Sequence, residues 1–478
     1  GEYKLIADIT IDRSIVIKKE KSVTLDLNGH VLQYKNDSTK GSVIKVESGG
    51  HLTIQDSCKD DTTAVHKFDT TNDLWVLNDN PPEGKAETIQ GGVITGGTGT
   101  QVKQRYRGGG VYVAPGGALT MKSGSIVGCS ANGSTNLSLC LGGGVYLDSS
   151  ANSNAGTFTM DGGRIIGCTA DGGGGGVLVA LECHFTMNTG AVIQSCTAQM
   201  GGGVYCLGMS GSFGIFTLNG GTIQSCKALG GGGGGVCNSG EFLIMVNSLI
   251  KDCTSKKDSN ASGGVLNSSQ FTMSGGTVED NVTNSGTINA DGGEITGGVT
   301  NGGTITGSGG VTGRSSTTFS GSVTNNGGTL TGFGKFTGSV TNYGGEIIGF
   351  CDFKEATLSG YLTVTFDPDN GAQSFTQQVP WCKGGAALTE PSPAPTKDGY
   401  SFDGWGCGWD KWDFDTDKVS YTMTLTAKWT ENPPAPSYDD SEPTYTVSAP
   451  TAENGKIAVS PRYAERGERV TVTLTPDE

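Results

Sequence analysis

From residue 119 onward one phrase returns at intervals of 26 to 39 residues: LTMKSGSIVGC at 119, FTMDGGRIIGC at 158, FTMNTGAVIQSC at 185, FTLNGGTIQSC at 216, FLIMVNSLIKDC at 242 and FTMSGGTVEDN at 271. A second phrase alternates with it: GGGVYV at 108, GGGVYL at 142, GGGVLV at 174, GGGVYC at 201, GGGVC at 233 and GGVLN at 263. Self-similarity of this kind dictates a stack of like units, because a unit of two or three short strands cannot bury its apolar face alone. Each unit reads as two short strands with a glycine-rich corner between them. Alternation assigns the faces: in F-T-M the Phe and Met point one way and Thr the other, and in V-Y-V the Tyr opposes the two Val. Stacked at ~4.8 Å per coil, the units bury a rod of Phe, Met, Ile, Val and Cys. The 81 glycines among 478 residues would each cost about 1 kcal/mol in a helix, and they lack the G-X-Y period of collagen. A parallel β-helix is the economical solution.

Between 282 and 350 the coil shortens. VTN recurs at 282, 299, 323 and 340, which predicts a narrower continuation of the same rod. Asn284, Asn301, Asn325 and Asn342 are then placed to form an amide ladder or to mark a turn. The N-terminal residues 1–56 read as the first coils, with turns at Asn28-Gly29 and Gly49-Gly50. Residues 57–88 break the pattern and read as an excursion loop, the kind of segment on which repeat proteins carry function.

Charge and cysteine narrow the class. A formal charge of −15 repels nucleic acid and anionic lipid and keeps an exposed protein soluble. No run of ~18 apolar residues is present to span a membrane. The chain starts at GEYKLIADI without a signal peptide, as a trimmed mature form does. Of 13 cysteines, Cys129, Cys168, Cys196, Cys226 and Cys253 each close the same phrase. They read as stacked buried thiols, and the absence of a paired CxxC argues against zinc.

The FTMxGGxI and GGGVY phrases resemble the pectin-lyase-like right-handed β-helix superfamily, and especially Gly-rich bacterial surface proteins; the resemblance covers about residues 1–355. Residues 364–430 resemble an internalin-type B repeat (the Listeria–Bacteroides repeat family) in the VTFD opening with Asn370-Gly371, in Pro395, in Gly399-Tyr400-x-Phe402-x-Gly404-Trp405 and in the closing Leu425-x-Ala427-Lys428-Trp429. This second resemblance implies a small β-grasp-like module, used as spacer or binding unit, with Trp405 and Trp429 in its core. The sequence departs from the family at GCGWDKWDFD. The expected architecture is therefore all-β: a right-handed single-stranded parallel β-helix over 1–355, a repeat module over 361–430, a Pro-rich linker over 431–443 and a partial β-rich repeat over 444–478.

Polysaccharide lyases and glycosidases share the first superfamily, so an enzyme is the serious alternative. Hydrolysis needs two carboxylates across a groove, and lyase chemistry needs a base with charge neutralisation of a uronate. The outward positions instead carry Thr, Tyr, Ser and Gly with scattered Asp161, Arg164, Glu279 and Asp280, and the four histidines (30, 51, 66, 184) sit beside no nucleophile. No catalytic residue, metal site or cofactor is assigned. Two candidate binding surfaces remain. Tyr112, Tyr146 and Tyr205 share one outward position of the GGGVY coils, interrupted by Leu178, and stacked aromatics there can hold a sugar ring or a partner chain, or merely brace the sheet. Trp409 and Trp412 in GWDKWDFD are the second. The acidic run Asp403, Asp410, Asp413, Asp415 and Asp417 offers oxygen ligands to calcium, but its spacing is that of a solvated loop. The expectation is an extracellular, monomeric adhesin or stalk that binds a glycan or a host-surface protein, attached to the cell through a region outside this chain. A purely structural spacer is the third reading.

Overall fold

The computed structural model describes residues 1–477 apart from 37, 61–63, 70–73, 78–87, 103–104, 134–139, 151–154, 210, 257–261, 308–316, 333, 349–351 and 434–441. Most of the expected Pro-rich linker, and much of the expected excursion loop, lie outside the described residues.

A parallel β-helix runs from the first residues to Tyr361. Its coils have three principal sides, which corrects the two-strand unit read from the sequence. Counting from the strand that opens each coil, the first side is Ala118–Met121, the second Ser125–Val127 and the third Val145–Leu147, the counterpart of Val111–Val113 one coil back. Met121 and Ile126 fall on successive sides of the coil because the chain turns at Gly124, whose φ of +85° a Cβ would disfavour. Each strand pairs in register with its counterpart one coil on: Leu119 with Phe158, Ile126 with Ile165, and Tyr112 with Tyr146. A short fourth side, Ser130–Ala131 in this coil, follows each cysteine of the column and ends at Thr254–Ser255. Its loss explains the 17-residue coils: once Cys253 has passed, the chain turns directly from the second side to the third, as at Val278 to Val282.

Like side chains lie over like. Phe158, Phe185, Phe216, Phe242 and Phe271 stack with centroids 4.8, 4.9, 5.1 and 4.8 Å apart, the spacing of neighbouring strands. All five rings are fully buried. The expected rod of Phe, Met, Ile, Val and Cys is present, and Cys129, Cys168, Cys196, Cys226 and Cys253 are buried free thiols within it. The GGG corner accounts for their placement. A Cβ on Gly144 would lie 2.6 Å from the carbonyl of Gly176 and 3.4 Å from Cys168 Sγ; only bare backbone lets coil approach coil there, with the thiol beneath.

The three N-terminal coils open with Glu2–Lys4, Ser22–Asp26 and His51–Gln55. Off the third, Val65–Asp69 pairs antiparallel with Leu74–Leu77 and with Thr88–Gln90, so the described part of the excursion is a small sheet. A hairpin, Thr100–Val102 with Arg105–Arg107, precedes the first GGGVY strand.

Strand Thr357–Asp367 serves two structures. Its first residues pair with Ser339–Tyr343 as the last rung of the third side, and its later ones pair antiparallel with Phe375–Pro380 and parallel with Met423–Thr426. Here Phe366 packs edge-on to Trp405 at 4.8 Å, and Trp405 is fully buried as expected. Trp381 lies edge-on to Phe353 at 5.1 Å, and Phe353 closes the column Phe319–Phe336–Phe353. The open end of an apolar rod would expose its core, and an indole covers it.

Residues 394–403 and 428–478 form a separate unit. Within it Trp429 is only half-buried, short of the core position expected, and sits edge-on to Phe402 at 5.5 Å. Gly455–Ser460 pairs antiparallel with Thr471–Pro476, and Tyr445–Thr446 with Tyr463–Ala464.

Candidate functional site

The in-register tyrosine column is present, with Leu178 between Tyr146 and Tyr205, but its expected exposure is corrected. Tyr112 and Tyr146 are only 5% and 3% exposed. They point away from the rod's core, yet chain from outside the coil repeat covers them. Arg107, the last residue of the hairpin, places its guanidinium 4.8 Å from the Tyr146 ring centre and pairs with Asp148 at 2.9 Å. Tyr112 donates its hydroxyl to the same carboxylate at 2.5 Å, and the two tyrosine rings stack at 6.0 Å. Burial first, and then the hydrogen bond to Asp148, hold the Tyr112 phenol well above its usual range. Tyr205 is half-buried against Gly173, where an added Cβ would lie 2.2 Å from its ring. Arg107 and Asp148 were not singled out from the sequence. The signal was there, an Arg directly before one GGGVY strand and an Asp directly after the next, but nothing local joins them.

The two tryptophans separate. Trp409 sits at the tip of a hairpin in which Gly406 pairs with Lys411 and Cys407 with Asp410, and it is fully exposed. Trp412 is buried, its backbone N–H donating to the Trp405 carbonyl at 2.8 Å. Its exposure as a binding residue is therefore corrected: it is the root of the hairpin. The acidic run closes on itself, with Asp413 accepting from the Asp415 N–H at 2.9 Å, which holds its carboxyl below the usual value. Asp417 accepts from the Asp413 N–H at 2.9 Å.

Among the scattered outward carboxylates, Asp280 caps the cysteine column by accepting from the Cys253 N–H at 2.8 Å, and burial raises its pKa. Asp161 accepts from the Asn188 amide at 2.8 Å. Among the described residues no group of three or more His, Cys, Asp or Glu is placed to hold a metal ion, and no helix is long and apolar enough to cross a membrane.

Three of the concavities among the described residues lie on the rod and module. One, of about 300 Å³, has a basic rim of Lys59, Lys122 and Arg164 with Asp60, at the corner between the first and second sides. Asp56 lies in its floor, where it accepts from the backbone N–H groups of Gly29 and Gly92 at 2.8 and 2.7 Å. A shallow basin of about 770 Å³ surrounds Phe353 and Trp381, with Lys354 and Lys383 beside it. The third, also about 300 Å³, is an uncharged groove on the third side of the narrow coils, lined by Thr300, Thr324, Asn326 and Tyr343 among others.

Residues 362–428 match the Listeria-Bacteroides repeat domain. A segment of 103 residues, 21% of this chain and 17% of the relative, is 39% identical to internalin H of Listeria monocytogenes serovar 1/2a. A segment of 119 residues, 24% of this chain, is 35% identical to a candidate Gly-rich membrane protein of Evansella cellulosilytica, of which it covers 12%. A second candidate membrane protein of that organism matches at the same identity over 15% of its length. The chain thus spans well under a fifth of each of these relatives. No solved structure matches significantly.

Proposed function

We propose that this chain, a parallel β-helix ending in a Listeria-Bacteroides repeat, is the outward-reaching part of a bacterial surface protein and adheres to a glycan or a host-surface protein without catalysis. The observation that carries the reading is Trp409. An indole held fully in water on a two-residue tip, with Trp412 and Trp405 anchoring the hairpin beneath it, has no fold to stabilise and large apolar area to offer a partner. The stacked coils supply reach and rigidity, and the acidic surface keeps the rod soluble and apart from its copies. In this reading Tyr112 and Tyr146 brace the scaffold, and a partner reaches only the exposed edge of Tyr205. The partial matches to internalin H and to membrane proteins support placement at the cell surface.

The test is adhesion of the full chain to mucin-coated and epithelial-cell surfaces, with and without Trp409→Ala. Retained melting temperature with adhesion reduced about tenfold is the expected outcome; undiminished adhesion of the variant overturns the assignment to Trp409.

The basic groove of Lys59, Lys122 and Arg164 favours a second reading, a lyase or hydrolase acting on an acidic polysaccharide. Release of unsaturated uronate or reducing ends from acidic plant and host glycans would establish it.

A further inference from the structure

We infer that the uncharged groove on the narrow coils is a binding site for a neutral glycan chain, an inference that rests on the adhesive reading above and names the ligand class and the residues. The groove crosses four successive rungs of the third side: Val282–Asn284, Val299–Asn301, Val323–Asn326 and Ser339–Tyr343. At ~4.8 Å per rung it runs about 14 Å, enough for a short run of pyranose rings.

Its chemistry is selective. Every polar side chain lining it is a hydroxyl or an amide: Asn281, Thr300, Ser322, Thr324, Asn326 and Tyr343. No charged residue contributes, in a protein that carries −15 overall. An acidic sugar would find no cation in the groove to balance it, whereas an uncharged polyol meets groups that can both donate and accept. Among the described residues the side chains of Thr300, Ser322, Thr324, Asn326 and Tyr343 make no hydrogen bond to protein. Just outside the groove comparable groups are engaged: Thr341 with Ser359 at 2.8 Å, Thr329 with Glu346 at 3.3 Å, and Asn325 with Asn342 at 2.7 Å. Asn281, which also lines the groove, is held in place by accepting from the Gly298 N–H at 2.8 Å.

Tyr343 supplies the apolar component. It stands in register with Asn326, half of it is open to water, and among the described residues no aromatic or cationic partner occupies its ring. A ring in that setting offers the face on which the C–H side of a pyranose packs, with hydroxyls on the sugar's edge directed to Thr324 and Thr300, one and two rungs away. The rigid backbone beneath, clamped by the buried asparagine column, keeps the spacing of these groups fixed before any ligand arrives.

Calorimetric titration of the full chain tests this with cellohexaose, chitohexaose, maltohexaose and mannohexaose as neutral probes and hexagalacturonate as the acidic one. At least one neutral hexasaccharide should bind saturably and hexagalacturonate should not. Tyr343→Ala should weaken that binding about tenfold and Thr324→Val several-fold. Thr324→Val keeps the β-branched shape of the strand and carries the test should Tyr343→Ala lower the melting temperature. Absence of neutral binding, or binding indifferent to both groove variants, overturns the inference. The adhesive reading fails separately, by loss of adhesion to mucin and cells in the wild-type chain.

Discussion

Asn284 donates its side-chain amide to Asn301 Oδ1 at 2.7 Å, and both residues are buried. The bond is one link of a column that begins at Asn238 and runs through Asn267, Asn284, Asn301, Asn325 and Asn342, each amide donating to the next oxygen at 2.7 to 2.9 Å. The second amide hydrogen is satisfied too: Asn284 donates to the Gly286 and Thr304 carbonyls, and Asn342 ends the column on Tyr361 O at 2.6 Å. A polar residue in an apolar rod is tolerated only when every donor and acceptor is met, and here the repeat supplies the partner.

Asn301→Ala should therefore cost more than its size suggests. It leaves Asn325 Oδ1 without its donor inside the rod, at roughly 1–3 kcal/mol, and takes from Asn284 its shortest acceptor, leaving only the Gly286 and Thr304 carbonyls. Chemical denaturation of the variant beside Ser322→Ala, an exposed neighbour expected to move stability by less than about 0.5 kcal/mol, measures the difference.

The latch over the third side should be similarly sensitive. Tyr112→Phe removes a hydrogen bond to a carboxylate and should cost about 1.5–3 kcal/mol. Arg107→Ala leaves Asp148 buried without its cation and should cost about 3–5 kcal/mol. Thermal melts of the two variants check the order, and neither should change glycan titration at the narrow coils.

The corner before each cysteine predicts a gain. Gly128 and Gly167 have φ near +60°, and Ser195 and Ser225 occupy the same position at +55° and +54°. A serine is strained there and a glycine is not, so Ser225→Gly should raise stability by about 0.5–1 kcal/mol despite the added chain entropy. The contrast is Gly143→Ala, where a Cβ would lie 2.3 Å from the Thr169 carbonyl. It should destabilise by several kcal/mol, with the two effects read as opposite shifts in the denaturation midpoint.

Alkaline pH should unfold the rod. Burial pushes the thiols of Cys183, Cys206 and Cys237 up to about 12 from an ordinary value of 9. The unfolded chain then loses protons above pH 9 that the folded chain retains, so this contribution is whole below pH 9 and is lost as pH rises toward 12. The slope is about 1.4 kcal/mol per pH unit for each thiol. Melting temperature against pH, with a fall setting in near pH 9, is the expected result. Under native conditions a thiol reagent should modify exposed Cys382 first and the buried column only on unfolding.

Much of this was legible before any coordinate. The inward positions of FTM and GGGVY, the cysteine column and the asparagine ladder of the VTN coils follow from short strands repeated in register, and the buried Trp405 from the resemblance to the repeat family. The ladder reaches two asparagines further back than VTN marks, because Asn238 and Asn267 end strands written VCN and VLN. The tyrosines were misplaced for a definite reason. Alternation states which side of a strand a residue leaves, and Tyr112 does leave the outer side, but it carries no information on what then folds over that side.

A repeating sequence determines a repeating fold because each coil's only available apolar partner is its own copy one rung away, so spacing and composition alone specify the stack and its core. Contacts between segments that do not repeat obey no such period. That Arg107 and Asp148 meet over Tyr146, that Trp381 closes the rod's end, that one strand belongs to both rod and module, and that four unengaged hydroxyl and amide side chains gather beside Tyr343 were decided by where distant chain happened to pack, and only the tertiary structure holds that information.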